Sequence, residues 1–353
     1  MRHPPEHLRA VLAAAVTSGI VPAAGLAVGV RDRCLLRLDL GVTDMAQRCS
    51  PLTSDTHFDL ASLSKVLATM PAVLALADAG ELTLDDSVTG HLPAFSGEGR
   101  EAVTIRHLLS HVSGLPASRR YYLFCATADE MRRAVLAEPL EAPPGSRVVY
   151  SDLGFLLLGE VIRARTGRPL AEACADLVHR PLGMWATGYH PRSDQPLAAT
   201  TEPGAVPAAG QAHDRNARVY GGAAGHAGLF APLSDVARFA AWWVSDEDGP
   251  VSRRTRAEAA RCQTEGLGGS RGWGWMTRGD GNDFLPETWP STAAMHTGFT
   301  GTSIALDAVH GWWVCLLTNA IHAGRHRPEV PELRTEIHRL AVPVLATAGC
   351  DTP

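Results

Sequence analysis

The chain opens and closes in strand-like runs and is helical between them. Ala24 to Val30 and Cys34 to Leu40 are short apolar runs joined by Arg31-Asp32-Arg33, a pattern that predicts an antiparallel hairpin, with a first helix over about His7 to Thr17 before it. Ser62 to Ala79 is apolar at helical spacing and stops at Gly80, and Pro71 should bend that helix because its nitrogen cannot bond one turn back. Thr104 to Ser110, Ala128 to Leu136, Tyr150 to Thr166, Pro169 to Leu177 and Ser234 to Val244 also read as helices, separated by Pro/Gly/Ala-rich connectors such as Glu141 to Gly145 and Glu202 to Gly210. Strand-like runs return at Gly272 to Thr277, Thr302 to Leu306 and Trp312 to Leu317, and a helix from Glu332 to about Ala348 closes the chain. The expected fold is α+β: an antiparallel β-sheet flanked by the N- and C-terminal helices, and a mostly helical second subdomain. Residues 1–60 and 270–353 would form the sheet subdomain and 61–269 the helical one, with the active site between the two.

Composition narrows the class. Of 353 residues 45% are apolar and 20% charged, which is ordinary globular usage; 32 basic against 37 acidic side chains leave a net charge of −5. There is no basic excess to neutralise phosphates, so a nucleic-acid partner is excluded. Seven cysteines are scattered with no C-x-x-C pair, and they read as small core hydrophobes in a reducing compartment. The apolar stretch Ala10 to Val30 superficially resembles a signal peptide, but Thr17, Ser18, Gly19 and Pro22 interrupt it; no 18-residue apolar run offers a membrane span. A cytoplasmic location is expected.

The basic residues are lopsided: 31 are Arg, and Lys65 is the one lysine. A solvated face accepts arginine readily, so a retained lysine marks a place where an amine that can lose its proton is wanted, or is a leftover surface residue. Lys65 ends Ser62-Leu63-Ser64-Lys65 at a helix start, where the i, i+3 spacing brings hydroxyl and amine to one face. A partly desolvated amine with a lowered pKa could then activate the serine. The spacing alone is weak, since serine occupies roughly one position in twenty. Two further segments add to it. Val148-Val149-Tyr150-Ser151-Asp152-Leu153-Gly154 opens a helix after a Pro-Pro-Gly turn, and His296-Thr297-Gly298-Phe299-Thr300-Gly301-Thr302 leads into a strand. Taken singly, Tyr150 reads as a core aromatic and His296 as a strand-end histidine. His107 and His111 stand at i, i+4, but no glutamate follows His107 and no third ligand is indicated, so metal binding is not expected. His213, Asp214 and His226 lie in Gly-rich text and either line a cleft or hold loops; His322 to Arg327 reads as a solvated basic loop.

With these motifs in order, the sequence resembles the serine β-lactamase and penicillin-binding protein superfamily, in the class C-like branch that includes D-Ala-D-Ala carboxypeptidases and carboxylesterases. The resemblance extends to Phe58-Asp59-Leu60-Ala61, Thr104 to Pro116, Pro181 to Tyr189 and Gly225 to Phe230. It implies a β-lactamase/transpeptidase-like fold in which Ser62 attacks a carbonyl, Lys65 accepts its proton and Tyr150 relays protons to the leaving group or incoming water. It also implies an oxyanion hole from the backbone N–H groups of Ser62 and Phe299, with Asp152, His296, Thr297 and Gly298 lining the substrate site. Two departures bear on substrate choice. Asp152 stands where relatives usually carry Asn, and an ionised carboxylate cannot donate to a substrate amide carbonyl. His296 replaces a lysine and is expected to titrate near neutrality while binding a carboxylate or polarising Tyr150. The implied activity is a serine hydrolase acting through an acyl-enzyme on an ester or amide of a small acyl or D-amino-acid compound, without cofactor or metal. A peptidoglycan-fragment DD-peptidase or amidase and a true class C β-lactamase are the variants of that chemistry. A catalytically silent ligand-binding protein using the same cleft is the reading from another class, against which the intact Ser62, Lys65 and Tyr150 set argues.

Overall fold

The structure is a computed structural model that describes residues 4–45, 50–200, 209–325 and 327–349. The elements that build the site are, in chain order, α1 (Pro4–Thr17), β1 (Ala23–Val30), β2 (Arg33–Gly41), β3 (His57–Asp59), α2 (Met70–Asp78), α3 (Asp152–Thr166), β4 (Gly188–Tyr189), β5 (Leu229–Pro232), α4 (Leu233–Trp243), β6 (Met276–Thr277), β7 (Ala294–Thr297), β8 (Ser303–Asp307), β9 (Trp312–Thr318) and α5 (Glu329–Gly349). The hairpin expected from the first two runs is β1–β2, and it joins the C-terminal strands in one antiparallel sheet ordered β2-β1-β9-β8-β7-β6. Alternation along the central strands sends side chains to two layers. Leu26, Val28, Val314 and Leu316 face a core completed by Leu8 and Leu12 of α1 and Ile337, Ala341 and Leu345 of α5. Ala27, Trp313, Cys315 and Leu317 face Leu233, Val236, Phe239 and Trp243 of α4 and the larger helical core. Because β9 is covered on both sides, its sequence reads as a continuous apolar run rather than an alternating one.

The middle of the chain is helical, as expected, with Ala128–Leu136 reproduced residue for residue and α3 beginning two residues later than the apolar pattern suggested. A second sheet, ordered β3-β5-β4, joins β4 and β5 of this region to β3, which precedes it in the chain. Strands of two to four residues are too short to show a period, which is why the sequence does not announce them. β6 is also shorter than Gly272 to Thr277, because Gly272 N–H turns back to the Trp275 carbonyl and Gly274 N–H donates to Leu109 instead of to a strand partner.

Pro71 lies where the helix changes its winding. It sits in the first turn of α2, where a missing donor costs little, and the preceding residues Lys65–Thr69 widen into a π-helical turn. The Leu67 carbonyl, which Pro71 cannot reach with an N–H, instead accepts from Nε2 of the buried His179 at 3.1 Å. Burial pushes the His179 pKa down to about 4, so the ring is a neutral donor. No helix among the described residues is long and apolar enough to cross a membrane.

Candidate active site

The site begins at the end of β3. Asp59 Oδ1 accepts from Ala61 N–H at 2.8 Å and Oδ2 from His213 N–H at 2.7 Å. Between Asp59 and Ser62 the chain passes through Ala61 at φ +48°, a left-handed conformation that costs a non-glycine residue on the order of 1 kcal/mol and here turns the backbone so that Ser62 faces the cleft. Burial of the Asp59 carboxyl pushes its pKa up to about 6 against the two backbone donors that favour the anion. Ser64, the other hydroxyl of the motif, is buried and structural: its Oγ donates to the Ala61 carbonyl at 2.6 Å and accepts from Leu229 N–H at 3.1 Å, tying the turn to β5.

Lys65 is fully buried. Its Nζ lies 3.1 Å from Ser62 Oγ, 3.1 Å from the His226 carbonyl and 2.8 Å from Asp152 Oδ1. Burial alone pulls the amine down, but the Asp152 carboxylate and the Tyr150 side chain outweigh it and hold its pKa above the ordinary lysine range. The lowered pKa expected for Lys65 is therefore corrected, because the sequence could not show that Asp152 reaches the amine. Carbonyl and carboxylate take two N–H bonds, and the third tetrahedral position of the amine points at Ser62.

Tyr150 stands on a platform built from Thr104 to Pro116. His111, itself at φ +58°, packs against the Tyr150 ring at 4.6 Å between centroids and accepts from Ser151 N–H at 3.0 Å through Nδ1. Ser151 caps α3 by accepting from Gly154 N–H and donates its own hydroxyl to the Pro116 carbonyl at 2.7 Å. Burial, with Arg271 and Lys65 nearby, pushes His111 far below the usual imidazole range, so it is a neutral prop. His107 faces elsewhere and closes a capping box with Thr104. The Arg271 guanidinium lies over the Tyr150 ring at 5.5 Å and pairs with Asp280 at 3.1 Å.

The third motif is stitched to the nucleophile turn. Thr300 Oγ1 donates to the Asp59 carbonyl at 2.7 Å and Thr302 Oγ1 to the Leu60 carbonyl at 3.3 Å. A Cβ at Gly298 would sit 2.1 Å from Thr302 Oγ1 and 2.6 Å from the Leu60 carbonyl oxygen, so this approach requires glycine. The backbone N–H groups of Ser62 and Phe299 donate to no acceptor among the described residues. His296 differs from expectation. It is buried, its Nδ1–H donates to the Thr297 carbonyl at 2.9 Å, and burial, reinforced by Lys65 and Arg271, pushes its pKa down to about 3. It is a neutral imidazole at any working pH, neither a titrating cation nor a charged carboxylate clamp.

Two cavities meet at Ser62. One, about 460 Å³, is lined by Tyr150, Arg271, His296, Thr297 and Arg334; the other, about 410 Å³, by Asp152, His213, Asp214, His226 and Phe299. His213, Asp214 and His226 thus both line the cleft and hold loops. Asp214 caps the short helix Arg215–Val219 and pairs with His226 Nε2 at 3.0 Å, which keeps the carboxyl far below its ordinary range despite burial. Sequence reasoning missed Asp59, Arg271 and Arg334 as parts of the site. For Asp59 a signal existed, an acidic residue in an otherwise apolar run before the serine; for the two arginines there was none.

A β-lactamase family model matches residues 8–339. The chain belongs to the beta-lactamase family. Among curated relatives of this beta-lactamase-family enzyme, a putative D-alanyl-D-alanine carboxypeptidase of Escherichia coli K12 is 29% identical over 306 residues, covering 77% of this chain and 70% of the relative. One of the same description from Salmonella typhi is 29% identical over 317 residues, covering 79% and 72%. Among solved structures the fold is shared with EstCE1, a hydrolase with promiscuous acyltransferase activity, at TM-score 0.78, 22% identity and 95% and 98% coverage. It is also shared with an octameric penicillin-binding protein homologue from Pyrococcus abyssi, at TM-score 0.75, 20% identity and 97% and 77% coverage. The beta-lactamase-family enzyme described here is a serine hydrolase.

Proposed function

We propose that the enzyme hydrolyses an amide or ester of a D-amino-acid compound whose leaving portion carries a carboxylate, through an acyl-enzyme on Ser62. The observation that carries the reading is the Ser62 hydroxyl 3.1 Å from the Lys65 amine at the junction of two cavities. Ser62 Oγ forms the bond to the substrate carbonyl carbon, and the oxyanion falls to the free N–H groups of Ser62 and Phe299. As the scissile bond breaks, Tyr150 gives its phenolic proton to the leaving group and takes the serine proton in return, with the Lys65 amine 5.1 Å and the Arg271 guanidinium 5.5 Å from its ring centre. Water then attacks the acyl carbon, gives its proton back through the same groups and restores Ser62. Lys65 holds the serine hydroxyl in line and stays an ammonium while Asp152 faces it.

The leaving group enters the cavity that contains Tyr150. There Arg334, 9% exposed, donates to the Thr302 carbonyl and has no carboxylate partner among the described residues. It supports a carboxylate on that side, a role the sequence had given to His296, and it agrees with the carboxypeptidase description of the relatives. Because Asp152 is an ion-paired acceptor and offers no amide donor, penicillins should be poor substrates beside simple esters. Cys125, Cys174 and Cys315 are buried and unpaired, which supports a reducing compartment, the cytoplasm. The test is mass spectrometry after exposure to a fluorophosphonate, with turnover of an acyl-D-Ala-D-Ala peptide and of p-nitrophenyl acetate. Label on Ser62, abolished in Ser62→Ala, together with release of D-Ala is expected. Label that persists in Ser62→Ala, or ester turnover with no peptide cleavage, defeats the reading.

A further inference from the structure

The cavity on the Asp152 side also holds Arg120 and Arg215, together with Arg325, which lines the Tyr150 cavity as well; the three exposed arginines have no carboxylate partner among the described residues. In a chain of net charge −5 that concentration runs against the average. The two carboxylates in the same cavity do not offset three guanidiniums, because Asp152 is paired with Lys65 at 2.8 Å and only Asp214, which accepts from His226 Nε2 at 3.0 Å, remains. Two of the guanidiniums are held in place by aromatic faces: Arg215 stacks over Tyr122 at 5.2 Å and Arg325 over Phe299 at 5.5 Å. The backbone N–H of Tyr122 donates to the Asn216 side chain at 3.1 Å, and the Phe299 ring, 57% exposed, stacks on His213 at 5.4 Å between centroids. Guanidiniums positioned in advance lose less freedom on meeting a planar oxyanion, and they suit a carboxylate better than a point charge would.

Since Tyr150 marks the leaving-group cavity, this one receives the acyl portion. We infer that the acyl group of the substrate ends in a carboxylate, held by Arg120, Arg215 and Arg325, so that the full substrate is anionic on both sides of the scissile bond. The inference rests on the reading of Ser62 as the acylated residue. Its test holds the leaving group constant: the p-nitrophenyl half-ester of adipate against p-nitrophenyl hexanoate, chains of equal length that differ in the terminal carboxylate. We expect kcat/KM to favour the adipate ester by about tenfold at low ionic strength, the preference to shrink as salt rises, and the ratio to fall towards one in Arg215→Gln/Arg325→Gln. A ratio near one in the native protein, or a preference that survives the double substitution, overturns the inference. Binding of methyl hydrogen adipate and methyl hexanoate to Ser62→Ala, read by calorimetry, tests the pocket without the chemistry. Preferential binding of the adipate there upholds the arginine site even if Ser62 proves not to be the nucleophile, and equal binding overturns it.

Discussion

Removing the Asp152 carboxylate should turn Lys65 from a fixed cation into a titratable amine. At 2.8 Å and an effective dielectric of about 20, the pair interacts by roughly 6 kcal/mol. Asp152 is 27% exposed, so water screens part of this, and halving the value leaves about 3 kcal/mol, or about 2 pKa units. Burial of Lys65 is then opposed only by the Tyr150 side chain, and it pulls the amine down towards the ordinary lysine value of about 10.4. Because the chain has one lysine, protein grown with isotope-labelled lysine gives a single side-chain resonance, which can be followed through a pH titration without assignment. In the native protein that resonance should remain that of an ammonium beyond pH ~10.4; in Asp152→Asn its midpoint should lie at least about 2 units lower than in the native protein. The sign carries to stability. A raised folded pKa means the pair's contribution is complete below the unfolded lysine value and is lost only as pH climbs through the folded one, so alkaline unfolding should move to lower pH in Asp152→Asn. A native Lys65 that titrates below pH ~9, or an unchanged midpoint in the variant, refutes the account of the amine as ion-paired.

Four other expectations follow from the same geometry. Asp59→Asn keeps one acceptor but turns an N–H towards a backbone N–H, so it should cost about 1.5–3 kcal/mol at the nucleophile turn and lower kcat by about tenfold to a hundredfold; unchanged kcat would dismiss Asp59 as a positioning residue. In the native protein the raised pKa of Asp59 adds stability that is complete below about 4 and lost as pH rises through about 6, so between those values acidification should slow acylation while this group favours the fold, which paired activity and melting measurements would separate. With His296 at about 3, KM for a carboxylate-bearing substrate should stay flat from pH ~6 to ~8, and a step in that range would restore the titrating role expected from its sequence position. His179→Leu leaves the Leu67 carbonyl without its donor and should lower stability by about 1–3 kcal/mol in chemical denaturation, an effect Leu would not produce if the π-helical turn satisfied itself.

The elements that were legible in the sequence are those whose period repeats often enough to read: the β1–β2 hairpin, Ala128–Leu136, α3, α4 and the last two strands. What stayed hidden depends on contacts between distant positions. β3 and β5 need each other to be strands at all, pairing Phe58 with Ala231 across almost half the chain. The direction of a pKa shift is equally non-local. Lys65 and His296 are both buried cationic residue types, and burial pushes both down, yet one has a carboxylate at 2.8 Å and the other has three cations, Lys65, Arg271 and Arg334, so they end on opposite sides of their ordinary values. Motif spacing places Ser62, Lys65 and Tyr150 in one site but says nothing of which charge reaches which amine.

The lysine in an otherwise all-arginine chain now has a physical reason that differs from the one its isolation first suggested. Three acceptors surround Nζ at 2.8–3.1 Å in a pocket with no solvent access. A tetrahedral ammonium meets three such directions at once, whereas a planar guanidinium presents its donors in one fork and needs more volume beside Phe155, whose ring lies 5.7 Å from the amine. Lys65→Arg should therefore fail by geometry even though it keeps the charge: overpacking on the order of 1–3 kcal/mol should show in denaturation, and the displaced Ser62 should lower acylation by at least about a hundredfold. Lys65→Met, nearly isosteric with the stem but uncharged, separates the two causes. It should remain folded, with Asp152 released to solvent, and still lose acylation, because nothing then holds the serine hydroxyl. If Lys65→Arg retained native acylation rates and stability, the pocket would have to accommodate a fork, and neither the π-helical turn that carries Lys65 nor the carboxylate at Asp152 could be what selects the amine.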